Sequence, residues 1–235
     1  MPARPQESRP PNPRPQDPRG GYLGYVAHEV RNPLSTALWS AELLARMAAA
    51  ERGGARGEKL TAMCLRSLGR VRQLIEDHFL CERLDAQGIP VRPESMTLRE
   101  VLDEVIARRP ADAPPVEVEL QDGLLVQADR VLLDRALEAL VSVIGREGTA
   151  GRVMGRTRDG RAELRFEGYP PGPDALEDPR KGSPGDPKGR SLSLPLARRA
   201  AQALGGTLAL DGAVLVLAVP SAEADQPPLV PVAPP

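Results

Sequence analysis

The chain has 235 residues, a formal net charge of −1 and 41% hydrophobic residues; that length suits one large or two small domains. Near-neutral charge gives no electrostatic case for nucleic acid or a membrane surface as partner. No apolar run reaches the ~18–20 residues of a membrane helix and no apolar signal segment opens the chain, so the expectation is a cytoplasmic protein.

Residues 1–20 are rich in proline and charge and almost free of large apolar side chains, which predicts a disordered tail. A helix is predicted over 22–50. Its apolar residues Leu23, Val30, Leu34, Leu38, Ala41 and Leu44 recur at steps of three, four or seven, which is one helical stripe. His28 and Asn32 are i,i+4 neighbours on it, and Glu29 and Asn32 are i,i+3 neighbours. Imidazole, carboxylate and amide therefore cluster near one turn. Pro33 has no N–H, so the Glu29 carbonyl loses its helical partner and a bend is expected just after the histidine.

The string GGARG at 53–57 predicts a turn, and a second helix is predicted over 58–84. Leu60, Cys64, Leu68, Val71, Ile75 and Phe79 form its stripe. Two long helices joined by a short turn make a hairpin. One hairpin cannot cover its own stripe, whereas two make a four-helix bundle, so a homodimer is expected. His78 reads as structural. Cys64 and Cys81 lie on one helix, too far apart to be bridged, and read as small hydrophobes in a reducing compartment.

A short link at 87–93 follows, and then mixed helix and strand. A helix is predicted from Leu98 with Thr97 near its N-cap, then strands at 116–120 and 124–128 paired as a hairpin around Gln121-Asp122-Gly123. Asp129 is placed to cap a helix over 130–144, and strands follow at 152–158 and 162–167 around Asp159-Gly160. A loop over 168–189, a helix over 191–204 and a hairpin of 207–210 with 213–219 complete the pattern. Residues 221–235 form a second Pro-rich tail. The fold class is α+β: a helical hairpin followed by an α/β sandwich.

HEVRNPLS at 28–35 resembles the H-box of two-component sensor histidine kinases, whose pattern is His, acid, apolar, Arg, Asn, Pro, Leu. The resemblance implies a dimerisation and phosphoacceptor domain over 21–86, with His28 accepting a phosphoryl group. The element order over 91–220 resembles the catalytic ATP-binding domain of the same kinases. No sensor domain is expected before the H-box, so any input signal should come from another protein or from the tail.

The resemblance in element order does not extend to the nucleotide-binding residues. Mg²⁺ needs oxygen ligands, yet the two positions where the family places Asn hold Ala139 and Val143. The adenine-binding Asp aligns with Phe166; Gly168 of that string is kept, and a register slide that offers Glu167 loses the match at Gly168. In the second Gly-rich string Gly189 is kept, while Ser191 and Ser193 replace later glycines, and their Cβ atoms restrict backbone approach to phosphates. The scaffold is kept and most nucleotide contacts are lost. No cofactor is expected to be held by the chain itself.

Three functions follow. In the first, His28 takes a phosphoryl group from the aspartate of one response-regulator receiver domain and passes it to another, with Mg²⁺ supplied by the receiver. In the second, the protein is an autophosphorylating kinase with a divergent ATP site, and Glu29 is the general base. In the third, it is a dimeric docking module or a response-regulator phosphatase that uses Glu29 and Asn32.

Overall fold

The computed structural model describes residues 18–110, 113–144, 150–168, 176 and 192–222, with side chains from residue 26 onward. Gly189, Ser191 and most of both expected tails lie outside the described residues. Two compact units are present, Met1–Ile75 and Glu76–Pro235. The division falls within a helix, upstream of the link expected at 87–93.

The first unit is helical: α1 (Pro18–Arg46), α2 (Ala49–Arg52) and most of α3 (Ala55–Asp85). α1 begins inside the stretch expected to be tail, because proline at a first helical position loses only an N–H that has no partner there. It stops four residues short of the expected end, where Met47 closes the last turn by donating to the Leu43 and Leu44 carbonyls. The Arg52 guanidinium donates through Nε to the Met47 carbonyl at 3.0 Å and ties the short α2 to the end of α1.

The apolar stripes of both helices are divided between two faces. On α1, Val26, Ala37, Ser40 and Met47 are buried, and Val30, Pro33 and Leu44 are half-buried. Val26, Pro33, Ser40 and Met47 recur every seven residues, as do Val30, Ala37 and Leu44, which is the spacing of a helix–helix seam. On α3, Leu60, Leu74 and Cys81 are buried at multiples of the same step. Leu34, Leu38 and Trp39 on α1, and Leu65, Leu68, Ile75 and Phe79 on α3, are exposed. The expected stripes mixed these two sets, because a repeat of three and four cannot tell a seam from the face beside it.

The second unit begins with the last turns of α3. Leu80 and Leu84 pack against the core of this unit. Glu76 pairs with Arg135 at 3.2 Å and Asp85 with Arg199 at 2.7 Å. Gln87 then takes a left-handed conformation, φ 51°, and Gly88 N–H reaches the Arg83 carbonyl at 3.0 Å to close the helix. The remaining elements are β1 (Glu94–Thr97), α4 (Leu98–Ala107), β2 (Val116–Leu120), β3 (Leu125–Ala128), α5 (Arg130–Val143), β4 (Gly151–Arg158), β5 (Arg161–Glu167), α6 (Ser193–Ala203), β6 (Thr207–Asp211) and β7 (Val214–Pro220). Thr97 occupies the N-cap of α4 without a side-chain cap bond. Asp129 caps α5 as expected, accepting from the Val131 and Leu132 N–H groups.

Five strands form one sheet in the order β2-β4-β5-β7-β6, parallel at β2–β4 and antiparallel elsewhere. The Asp159-Gly160 turn has φ of 50° and 71°, the paired positive angles of a tight hairpin. The hairpin expected between 116–120 and 124–128 does not form. β2 pairs with β4, and β3 pairs with β1, a strand missed because ESMT has no alternating apolar signal. Gly123 at φ 68° turns the chain, but a turn reverses direction without obliging its arms to pair. Ser221 bridges to Val126 and Ala222 N–H donates to the Leu125 carbonyl, so residues 221–222 lie beside β3.

Leu98, Val101 and Leu102 of α4, Leu133, Leu137 and Leu140 of α5, Ala197 and Ala201 of α6, and Val153, Leu164, Leu217 and Val219 of the sheet form one core. Helices therefore cover one sheet face, and the opposite face carries ion pairs such as Arg152–Glu119 (2.6 Å) and Arg165–Asp211 (2.9 Å).

The exit from α6 imposes a strict requirement on Gly206. Its N–H bonds the Ala201 carbonyl at 2.8 Å, and a Cβ there would lie 2.3 Å from the Ala218 carbonyl oxygen. That neighbour is backbone held in the β6–β7 ladder and cannot yield. Gly206→Ala is expected to cost about 2–3 kcal/mol and to lower the thermal midpoint by roughly 5 °C or more. A midpoint unchanged in a thermal melt would contradict the close approach.

Candidate functional site

The turn of α1 that carries His28 is well exposed. The His28 side chain is 65% exposed, and its Nδ1 lies 3.6 Å from Glu29 Oε1. That is beyond hydrogen-bond length but within ion-pair reach when the ring is protonated. Glu29 is more sheltered, at 20%. Glu29 therefore faces Nδ1, and its contact does not involve Nε2. Asn32 is exposed one turn along.

α1 runs unbroken through Pro33. The Glu29 carbonyl still lacks a donor from residue 33, since proline has no N–H. Two hydroxyls then continue the departure from regular bonding. Thr36 Oγ1 donates to the Asn32 carbonyl at 3.2 Å, and Ser40 Oγ donates to the Thr36 carbonyl at 2.8 Å. Such back-bonding shares carbonyls that regular helix bonds already use and loosens the helix locally. The sequence reading missed both residues. The signal was present as Asn, Thr and Ser spaced four apart at 32, 36 and 40. Together Pro33, Thr36 and Ser40 make the segment below His28 the place where α1 can bend.

Residues 19–87 match the His Kinase A (phospho-acceptor) domain. The match marks this helical stretch as a domain of the phosphoacceptor kind. The chain is similar in structure to the Acinetobacter baumannii histidine kinase AdeS, with a TM-score of 0.60 and 16% identity over 82% of this chain and 97% of that one. It is also similar to full-length ShkA in complex with AMPPNP, with a TM-score of 0.52 and 20% identity over 86% of this chain and 46% of that one. At these identities the likeness establishes the fold, a helical part followed by a sheet unit of the histidine kinase kind. No helix among the described residues is long and apolar enough to cross a membrane.

The residues that the sequence places at the expected nucleotide-binding positions, so far as they are described, lie in the second unit. Ala139 and Val143 lie one turn apart on α5 and are both buried in the core. Phe166, near the end of β5, is fully buried, opposite Val153 of β4 and Leu215 of β7. Gly168 has φ 102°, a backbone region that favours glycine. Ser193 opens α6, and its Oγ lies 3.4 Å from Ser142 Oγ of α5. The side chains of Ala139 and Val143 carry no oxygen for a metal, and Phe166 carries no carboxylate for an adenine amino group. Among the described residues no group of His, Cys, Asp and Glu could hold a metal ion.

Proposed function

We propose that the protein is a histidine phosphotransferase of two-component signalling. The observation that carries this reading is the exposed His28 ring, its Nδ1 facing Glu29, in a phosphoacceptor domain whose companion unit has hydrocarbon side chains at the metal and adenine positions. In the neutral ring with the proton on Nδ1, the nitrogen nearer Glu29, Nε2 has its lone pair available. That lone pair attacks the phosphorus of a receiver's aspartyl phosphate. An N–P bond forms, the P–O bond to the aspartate breaks, and the carboxylate leaves with the bonding pair. The same steps reversed load a second receiver. Magnesium and positive charge come from the receiver, so positioning is this chain's main contribution. The working form is a homodimer. The test is incubation with phosphorylated receiver domains, where label should move onto this chain in an acid-labile linkage. Radiolabelled ATP offered alone tests the alternative, self-phosphorylation, and should leave the chain unlabelled.

Glu29 and the exposed Asn32, one helical turn apart, favour a second activity on the same surface: hydrolysis of a receiver's aspartyl phosphate. The Asn32 amide would orient a water for in-line attack. Asn32→Ala is expected to slow receiver dephosphorylation by roughly tenfold or more while His28 still accepts phosphate. Dephosphorylation at the parent rate would remove Asn32 from that role.

A further inference from the structure

The sheet face turned away from the helices carries a cluster of arginines on β4 and β5. Alternation along β5 sends Ala162, Leu164 and Phe166 into the core and Arg161, Glu163 and Arg165 to the opposite face. On β4, Arg156 stands opposite Glu163 in the ladder and Arg158 stands opposite Arg161. Like charges directly opposite each other cost stability, so the ladder gains nothing from Arg158 against Arg161. Glu163 is the centre of the cluster. Its carboxylate lies 3.6 Å from Arg156, 3.6 Å from Arg158 and 3.9 Å from Arg165. All three distances exceed hydrogen-bond length, and the buried Glu163 Oε1 has no hydrogen-bond partner among the described residues. Exposure separates the two signs of charge. The Arg156 and Arg158 side chains are 60% and 58% exposed, and that of Glu163 is 13% exposed. Guanidinium meets the water here, and the carboxylate lies beneath it. Arg165 donates to Asp211 at 2.9 Å and Arg161 to the Gly205 carbonyl at 3.1 Å. Arg156 and Arg158 donate no hydrogen bond among the described residues, and Asp159 of the turn approaches Arg158 only to 3.7 Å.

We propose that Arg156 and Arg158 form a docking site for a carboxylate-rich segment of a partner protein. The inference goes beyond phosphotransfer and does not rest on chemistry at His28. Two arginines at alternate positions of one strand stand about 7 Å apart, so each can take a carboxylate of its own in a forked, two-bond contact. Glu163 attracts both guanidinium groups from below, so less side-chain freedom is lost when they bind. The incoming carboxylates also offset the repulsion between Arg158 and Arg161. Charge complementarity selects the occupant. A nucleic acid or an anionic membrane presents phosphate over a wide area, and this face interrupts its arginines with Glu163, Glu167 and Asp211. A protein segment can set its carboxylates over Arg156 and Arg158 and keep clear of those acids.

The experiment uses the full chain and, as probe, a fluorescein-labelled peptide of alternating glutamate and threonine, whose carboxylates repeat at the spacing of the two arginines. Fluorescence anisotropy at low salt should show binding that weakens as salt is raised, and the matching lysine–threonine peptide should not bind. R156Q/R158Q should weaken binding by about tenfold or more. R46Q/R99Q removes two exposed arginines elsewhere and should change it by less than about twofold. No binding by the parent, unchanged affinity in R156Q/R158Q, or equal loss in both variants overturns the site. Duplex DNA that binds more tightly than the acidic peptide, with the same loss in R156Q/R158Q, overturns the choice of partner. R156Q/R158Q also strips two ion pairs from Glu163 and is at risk of not folding, so the parent supplies a second readout. Its arginine Nε–H resonances, assigned with R156K and R158K one at a time, should shift for Arg156 and Arg158 as peptide is added. If those two stay fixed while other arginines move, the peptide binds elsewhere and the proposal falls.

Discussion

His28→Ala is expected to abolish transfer from a phosphorylated receiver, lowering the rate by at least about a thousandfold. Alanine has no lone pair to offer phosphorus, and the neighbouring Glu29 cannot substitute. A carboxylate acceptor would form another acyl phosphate, and Glu29 is only 20% exposed against 65% for His28. The substitution removes an exposed ring from a helix surface and puts the best helix former in its place. The fold and the thermal midpoint should therefore be unchanged, and the loss can be assigned to chemistry. Rapid-quench measurement of receiver phosphate against time makes the comparison. Transfer persisting in the His28→Ala protein would move the acceptor to another residue and end the assignment.

Charging the uncovered helix face should take the dimer apart. Leu34, Leu38 and Trp39 on α1 and Leu65, Leu68, Ile75 and Phe79 on α3 leave a run of large apolar side chains in water. Large apolar side chains left in water along a helix mark an interaction surface. Leu38, 57% exposed, and Leu68, 45% exposed, cost a single chain little when changed. In a two-fold dimer, L38E/L68E would place four carboxylates in the interface. Each buried group without a partner costs on the order of 1–3 kcal/mol. Even the low end sums to about 4 kcal/mol, roughly a thousandfold in dissociation constant. Sedimentation at micromolar concentration should show a dimer for the parent and a monomer for L38E/L68E. A variant that remains dimeric would place the interface elsewhere, and a monomeric parent would count against the bundle.

Much of the candidate site was legible because it is local. The string at 28–35 lies within about two turns of one helix, so its spacing alone brings His28, Glu29 and Asn32 together. Thr36 and Ser40 were equally local and were passed over, because hydroxyls within a helix are usually read as surface. In the second unit the residue types at Ala139, Val143 and Phe166 could be read from the chain, but their burial in one core could not. Whether a lost polar group leaves a hole or a packed core depends on which distant side chains arrive. Here Leu194 of α6 and Leu176, from within the stretch between β5 and α6, join that core.

By itself the sequence determined the helices, the Asp129 cap, the tight turn at Asp159-Gly160 and the phosphoacceptor string. Each depends on side-chain spacing or on a backbone angle within a few residues. Only the tertiary structure decided that β2 and β3 part company to pair with β4 and β1, since a ladder joins residues tens of positions apart and any exposed strand edge can satisfy its bonds. It likewise divided the helical stripes into a buried seam and an open face, and took the last turns of α3 into the second unit through Leu80, Leu84 and the Asp85–Arg199 pair. Apolar periodicity says that a face will be covered. Which body covers it is settled by long-range packing, because burial is a property of the neighbours and not of the residue.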